Sequence, residues 1–258
     1  MTQFGDFSVA FPEEENDISQ AEEWCVVRCG KKRPRRIRFH DYHKIYNIPG
    51  LYEFLFYERL RCQSPAVICR FLRRELEKSG KSPATLKVMD LGAGNGMVAE
   101  ELAKLGVQNI VGVDILREAK RAALRDRPGV YHDYHAVDMT RLPRRVLSLF
   151  KKEGFNCLVS VAALGFGDIP HRAFAQAYNL IDDSGWIAFT IKEDFLHKRY
   201  THGFSKMIQK MARSGLLDLR LRRRYHHRLS VAGKPLSYVG MVGVKKGNIS
   251  RSILKTCD

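Results

Sequence analysis

The sequence predicts an α/β domain: a doubly wound, mainly parallel seven-stranded sheet with an antiparallel hairpin at one edge, preceded by an N-terminal cap. Three observations lead there. Between residues 86 and 191, short apolar runs of strand length alternate five times with stretches of helical spacing, the pattern of βα units in a parallel sheet. Two long β-like stretches then follow, 217–230 and 235–246, separated by Ala232-Gly233-Lys234, which reads as a closing hairpin. The first of the five strands also runs directly into a glycine-rich turn, Gly92-Ala93-Gly94-Asn95-Gly96, where open α/β sheets hold their ligands.

In chain order, residues 1–21 have little periodicity, an early Pro12 and a carboxylate cluster, and read as a flexible acidic arm. Residues 22–80 form the cap. Within it, 24–29 and 36–40 are β-like runs around a Gly/Lys/Arg/Pro loop, and 40–52 is aromatic and loop-like. Two helices follow, about 52–61 and from Ser64-Pro65 to Ser79-Gly80, with Ser64 as N-cap and Pro65 at the first helical position. The main domain, 81–246, has strands at 86–91, 109–114, 135–138, 155–161 and 185–191. Helices at 97–105, 116–125, 142–152, 172–181 and 204–215 follow these strands in turn, several of them ended by glycine or proline. Residues 247–258 read as a frayed tail.

Composition narrows the class. Hydrophobic residues make up 45% of the chain, charged residues 28%, and mean hydropathy is −0.30, as in a soluble globular protein. There is no apolar run of spanning length and no basic leader with an apolar core, so the expectation is a cytoplasmic protein with no membrane partner. Six scattered cysteines form no CxxC pair and match no zinc-ligand spacing, so reduced thiols and no metal are expected. The net charge of +16 is uneven. Residues 1–27 hold seven carboxylates and no Lys or Arg, whereas 28–44 hold eight bases against Asp41 alone. Such a surface attracts polyanions; solvated arginines protecting an edge strand are the plainer explanation for the Arg222–Arg228 run.

The candidate site begins at the glycine turn. Met97 occupies the slot where a dinucleotide fingerprint has its third glycine, and Asp90 stands two residues before Gly92. A carboxylate there is unsuited to a pyrophosphate and suited to a cationic or zwitterionic ligand. Asp114 ends the second strand, 24 residues after Asp90, where a carboxylate can accept from both hydroxyls of a ribose; its alternative role is to cap the next helix. Asp138 ends the third strand and can accept from an exocyclic adenine amine, with Ile115 and Met139 offering apolar and polarizable faces.

On these residues the chain resembles the class I S-adenosylmethionine-dependent methyltransferases, over about 86–191 and, by topology, the closing hairpin. Asp90-Leu-Gly92-Ala93-Gly94-Asn95-Gly96 is similar to the family's first motif. Val113-Asp114 is similar to its ribose-binding position and Val137-Asp138-Met139 to its adenine-contacting one. Residues 155–161 are similar to its fourth motif, with Asn156 where Asp is commoner. The resemblance implies a Rossmann-like methyltransferase fold, S-adenosylmethionine as cofactor and S-adenosylhomocysteine as product, with the backbone at Val161 beside the methionine moiety. It also implies an aromatic lid over the cofactor, drawn from residues 40–60, with Tyr46 or Tyr42 near the methionine end.

For the acceptor, the run from Ala162 to Pro170 lacks both the element that grips a planar amino nitrogen and the cysteine nucleophile of cytosine methylases. The reading is a small-molecule acceptor. RNA or protein methylation through the basic surface, and cofactor binding without turnover, stand as alternatives. No catalytic residue is assigned, because displacement at a sulfonium requires alignment more than a particular side chain.

Overall fold

The computed structural model describes residues 2–4, 6–12, 18–164, 166–196 and 203–257. Packing divides them into two units, Met1–Gln63 with His226–Ser237, and Ser64–Tyr225 with Tyr238–Asp258.

The first unit is built on a four-stranded antiparallel sheet in the order β1 (Thr2–Phe4), β2 (Phe7–Ala10), β3 (Trp24–Cys29), β4 (Arg35–Arg38). Strand alternation sends Phe7, Val9, Cys25, Val27 and Ile37 to one face, all buried. Two short helices, α1 (Tyr42–Tyr46) and α2 (Leu51–Glu53), and a π-helical turn, Phe54–Arg59, cover that face with Ile45, Leu51, Phe54, Leu55 and Phe56. Two expectations change here. Thr2–Phe4 and Phe7–Ala10, read as part of a flexible arm, are two sheet strands, because Phe7 and Val9 have a core to enter; Glu13, Glu14, Glu15 and Asp17 lie outside the described residues. Residues 42–46, read as loop, form a helical turn because Ile45 and Tyr46 are buried together.

This small core also encloses an ion pair. Glu23 is 1% and Arg228 5% exposed, and the Arg228 guanidinium donates to one Glu23 oxygen while the backbone N–H of Val231 donates to the other at 2.7 Å. Each partner makes the other's burial tolerable.

The second unit starts with α3 (Ser64–Lys78), which the sequence boundaries assign to the cap. Its sheet then forms from β5 (Lys87–Leu91), β6 (Asn109–Asp114), β7 (Asp133–Ala136), β8 (Cys157–Leu164) and β9 (Trp186–Lys192), all parallel, and the hairpin β10 (Leu217–Leu229) and β11 (Pro235–Lys245), in the order β10-β11-β9-β8-β5-β6-β7. The tip of that hairpin, His226–Ser237, packs with the first unit. The helices between strands are α4 (Met97–Lys104), α5 (Arg117–Asp126), α6 (Arg144–Glu153) and α7 (His171–Asn179), and α8 (Gly203–Arg213) precedes the hairpin.

The central strands are buried on both faces. Val88, Ile110, Cys157, Val159 and Ala188 pack with α3 and α4, while Met89, Val111, Leu158, Ile187 and Phe189 pack with α7 and α8. A two-residue period therefore serves two cores at once, which is why these strands read as continuous apolar runs. Asn156 ties the start of the sheet: its Oδ1 accepts from Lys87 N at 2.7 Å and its Nδ2 donates to Thr85 O at 3.0 Å. Residues 247–257, read as a frayed tail, are packed. Asn179 clamps both backbone polar groups of Ile249, at 2.8 and 2.9 Å, and Ile249 and Cys257 enter the core on either side of α9 (Arg251–Lys255). Among the described residues no helix is long and apolar enough to cross a membrane.

The chain runs β5, β6, β7 in one direction, then returns to place β8 on the other side of β5. That reversal opens a crevice at the carboxyl ends of β5 and β8.

Removing one half of the buried pair should be severe. Arg228→Ala is expected to lower stability by about 3–5 kcal/mol, since it leaves a buried carboxylate uncompensated. Urea denaturation at neutral pH measures this; a loss under about 1 kcal/mol would mean that Glu23 is solvated in solution.

Candidate functional site

Asp90 lies at the carboxyl end of β5, at the reversal point, with no exposed surface. Burial raises its carboxyl to about 7, against the pull of a hydrogen bond from Tyr131, and the nearby charge of Asp114 adds to the rise. The Tyr131 hydroxyl donates to Asp90 Oδ2 at 2.8 Å and lies 3.2 Å from Ala93 O. The other oxygen, Oδ1, is buried and has no hydrogen-bond partner among the described residues. A buried acceptor left unpaired is costly, and it marks a place for a donor.

After Leu91 the chain turns through Gly92 (φ 75°), Gly94 (φ 54°) and Gly96 (φ 92°). Two of these positions are closely bordered. A Cβ on Gly92 would stand 2.8 Å from Ile169 Cδ1 and 3.0 Å from Ala163 Cβ; one on Gly96 would meet the Tyr131 ring at 3.2 Å. Both also sit in the left-handed region, where other residues are strained.

The turn is fastened from neighbouring strands. Gly92 N and Ala93 N donate to Val113 O at 2.8 and 3.2 Å, Ser160 Oγ donates to Leu91 O at 3.0 Å, and the Tyr134 hydroxyl donates to Gly94 O at 2.8 Å. Asp114 forms the most consequential tie. Its Oδ2 accepts from Gly94 N at 3.0 Å and its Oδ1 from Leu116 N at 2.9 Å. The carboxylate thus ties the glycine turn to Leu116, the residue before α5, and with a further backbone hydrogen bond from Ile115 three of its four lone-pair sites are taken. Burial raises the Asp114 carboxyl, and the backbone hydrogen bonds from Leu116, Gly94 and Ile115 oppose that rise.

The remaining sequence candidates fall in different surroundings. The acids at the strand ends are stepped, since Asp90 pairs in register with Gly112, and Asp114 with Ala136; Asp114 and Asp138 therefore each lie two residues beyond the register partner of the acid before. Ile115 is 61% exposed, a large apolar side chain bare at the strand end beside Asp114. Asp138 Oδ1 accepts from both the N–H and the hydroxyl of Thr140, at 2.8 and 2.7 Å, capping a one-turn helix, Met139–Arg141. Those bonds hold its carboxyl below the usual range. Met139 is turned into the core. Asn95 is 1% exposed; its side chain donates to Asp126 and its carbonyl accepts from Arg127, so it braces the turn. Val161 lies two residues past Val159, the register partner of Asp90. It precedes Ala162, a non-glycine at φ 55° whose N–H donates to Thr190 Oγ1 at 2.8 Å. Such backbone strain is a frequent mark of a site. Tyr46 belongs to the first unit, where its buried ring lies 6.1 Å from Tyr42 and 5.1 Å from Tyr52.

Tyr131, Tyr134 and Ser160 are parts of the site that sequence reasoning missed. Tyr131 and Tyr134 meet edge to face at 5.1 Å beneath the turn, yet they precede and open the third strand, about 40 residues downstream. Their three-residue spacing alone points to no partner. At the carboxyl ends of β8 and β9, Phe166 packs edge to face on Phe195 at 5.0 Å, with the Lys192 ammonium 5.7 Å from the Phe166 ring and paired with Asp194 at 2.8 Å.

The donors and acceptors present fit an amino-acid-bearing nucleoside: an unfilled carboxylate oxygen for an ammonium, an oriented carboxylate for ribose hydroxyls, and an exposed apolar side chain for a flat ring.

Comparison with known proteins agrees. A family model described as a methyltransferase domain matches residues 60–230. No curated protein sequence matches the chain. The fold is similar to that of the N-methyltransferase NodS from Bradyrhizobium japonicum in complex with S-adenosyl-L-homocysteine, at 15% identity and a TM-score of 0.56, covering 81% of this chain and 98% of that one. It is similar to a Pyrococcus horikoshii protein provisionally assigned as an RNA methyltransferase, at 14% identity and a TM-score of 0.51, covering 72% and 88%. A Thermoplasma acidophilum protein gives 15% identity and a TM-score of 0.50, covering 80% and 99%.

The Tyr131 bond is open to direct measurement. Tyr131→Phe deletes the donor to Asp90 and should move that carboxyl above about 7, with a stability loss of about 1–3 kcal/mol at a pH where it is ionised. A side-chain carboxyl NMR titration that is the same in both proteins would show that the bond does not hold in solution.

Proposed function

Because the chain belongs to the class I S-adenosylmethionine-dependent methyltransferases, we propose that its acceptor is a small molecule, bound at the carboxyl ends of β8 and β9. The enzyme uses S-adenosylmethionine and leaves S-adenosylhomocysteine. That cofactor supplies a methyl group on a sulfonium, already a good leaving group, so the protein's part is alignment and exclusion of water.

The residues divide that work. Asp90 receives the ammonium of the methionine end on its unpaired oxygen, directly or through one water. Asp114, oriented by Gly94 N and Leu116 N, accepts from the ribose hydroxyls. Ile115 supplies an apolar face for the adenine and Asp138 an acceptor for its amine. The backbone after Val161, strained at Ala162, borders the reacting end. Phe166 and Phe195 supply apolar rings on the acceptor side, and Lys192, Glu193 and Asp194 a polar margin of both signs. A compact, partly apolar acceptor suits such a wall. No side chain is assigned as a base.

The unpaired Oδ1 of Asp90 is the observation that carries this reading, because it asks for a cationic donor where a dinucleotide would bring phosphate. It has a consequence in pH. Below about 7 the buried carboxyl is protonated, so binding an ammonium must expel that proton. Affinity for S-adenosylhomocysteine should therefore fall about tenfold per pH unit below 7 and level off above it, up to the alkaline pH at which the ligand's own amine deprotonates. In Asp90→Asn the low-pH limb should flatten. Calorimetry at several pH values tests this; tight binding of NAD, or affinity independent of pH in the unmodified protein, would sink it.

Asp114→Ala should cost about 1.5–3 kcal/mol of cofactor affinity, since ribose hydroxyls and Gly94 N lose a charged acceptor together. An unchanged dissociation constant would restrict Asp114 to holding the turn. For the acceptor, tritiated S-adenosylmethionine is incubated with the protein and with separated small-molecule, RNA and protein fractions of a cell extract. Label is expected in the small-molecule fraction; label confined to RNA or protein would overturn the assignment.

A further inference from the structure

The first unit contains a half-open groove of about 820 Å³ with an uneven wall. Lys32, Arg35, Arg36 and Lys44 line it against one carboxylate, Asp6, while Ile48 and Pro49 form an apolar side. Lys44 is paired with Asp41 at 2.8 Å, and the Arg36 guanidinium is held 4.1 Å from the centre of the Trp24 ring. Lys32 and Arg35 are exposed and have no carboxylate partner among the described residues. The volume is within the range of sites that enclose organic ligands.

We propose that this groove binds a single-stranded nucleic acid, chiefly through its phosphates. Guanidinium forks match phosphate oxygens geometrically. The positive charge also continues past the rim, since Arg28, Lys31 and Arg33 are exposed on the same β3–β4 hairpin. A linear polyanion can use bases inside and outside the groove, whereas a lone nucleotide uses only those inside. The apolar side favours a nucleic acid over an acidic peptide: an unpaired base presents a flat face to Ile48 and Pro49 while its phosphate meets the cationic wall, and a run of carboxylates has nothing for that side. A duplex keeps its bases stacked inside, which makes a single strand the better fit. The proposal rests on first-unit residues alone and is independent of the acceptor assigned above.

Fluorescence anisotropy of a labelled oligouridine, with the full chain, tests it. The four groove bases alone give a slope near −3 in log affinity against log salt, so affinity should fall at least about 50-fold between 50 and 200 mM salt. The double variant Lys32→Glu/Arg35→Glu should bind at least about tenfold more weakly, with a slope shallower by about 1.4. Its circular dichroism spectrum and thermal unfolding midpoint should match the parent's, which shows that the fold persists. The proposal is overturned if oligouridine does not bind, if the double variant binds it as well as the parent, or if oligoglutamate of equal charge displaces it as efficiently as unlabelled oligouridine.

Discussion

A carboxylate buried with no cation beside it among the described residues, Asp90, is the constraint around which the centre of the second unit is arranged. Asp90 enters the interior because β5 is an inner strand, flanked by β8 and β6, of a sheet covered on both faces. Its burial is made tolerable by one tyrosine hydroxyl, from Tyr131, and by a carboxyl group that titrates near neutrality. The Tyr131 ring passes so close to Gly96 that a Cβ there would stand 3.2 Å from it. The glycine turn, the tyrosine pair and the acid therefore depend on one another. The same arrangement leaves one oxygen short of a donor, which links the cost of the buried charge to the demand for a ligand.

Asp114 extends that dependence to the next strand. With one oxygen on the turn and the other on the start of α5, it makes the ends of β5 and β6 a single rigid rim. Ser160 does the same from β8 through Leu91 O. The positions of the candidate site are thus set by hydrogen bonds to strands, which two hydrophobic layers hold from either side.

Charge is distributed by a different logic in the first unit. Its core is small and aromatic, and an enclosed Glu23–Arg228 pair joins residues 205 apart in sequence, which favours specificity of assembly over raw stability. Its surface carries the excess of bases on a β-hairpin, where alternation places Cys25, Val27 and Ile37 inward and Arg28, Arg36 and Arg38 outward. One strand period therefore yields both the core and the basic surface.

The sequence by itself determined the architecture of the second unit. The five strand–helix alternations, the hairpin and the positions of Asp90, Gly92–Gly96 and Asp114 were all legible, because burial on both faces writes long apolar runs and the turn has a local glycine signature. Tertiary structure alone decided what those acids touch. Nothing near Tyr131 in sequence says that its hydroxyl ends on Asp90, since that contact depends on how far β7 is displaced along β6. Asp138 and Met139 were readable as strand-end residues, but Thr140 capping and core burial decided their surroundings. Residues 2–10, 42–46 and 249–257 likewise looked irregular, because short segments with two or three apolar residues have no periodicity to display. They are ordered by cores built largely from other parts of the chain: long-range packing supplies the free energy that local propensity lacks.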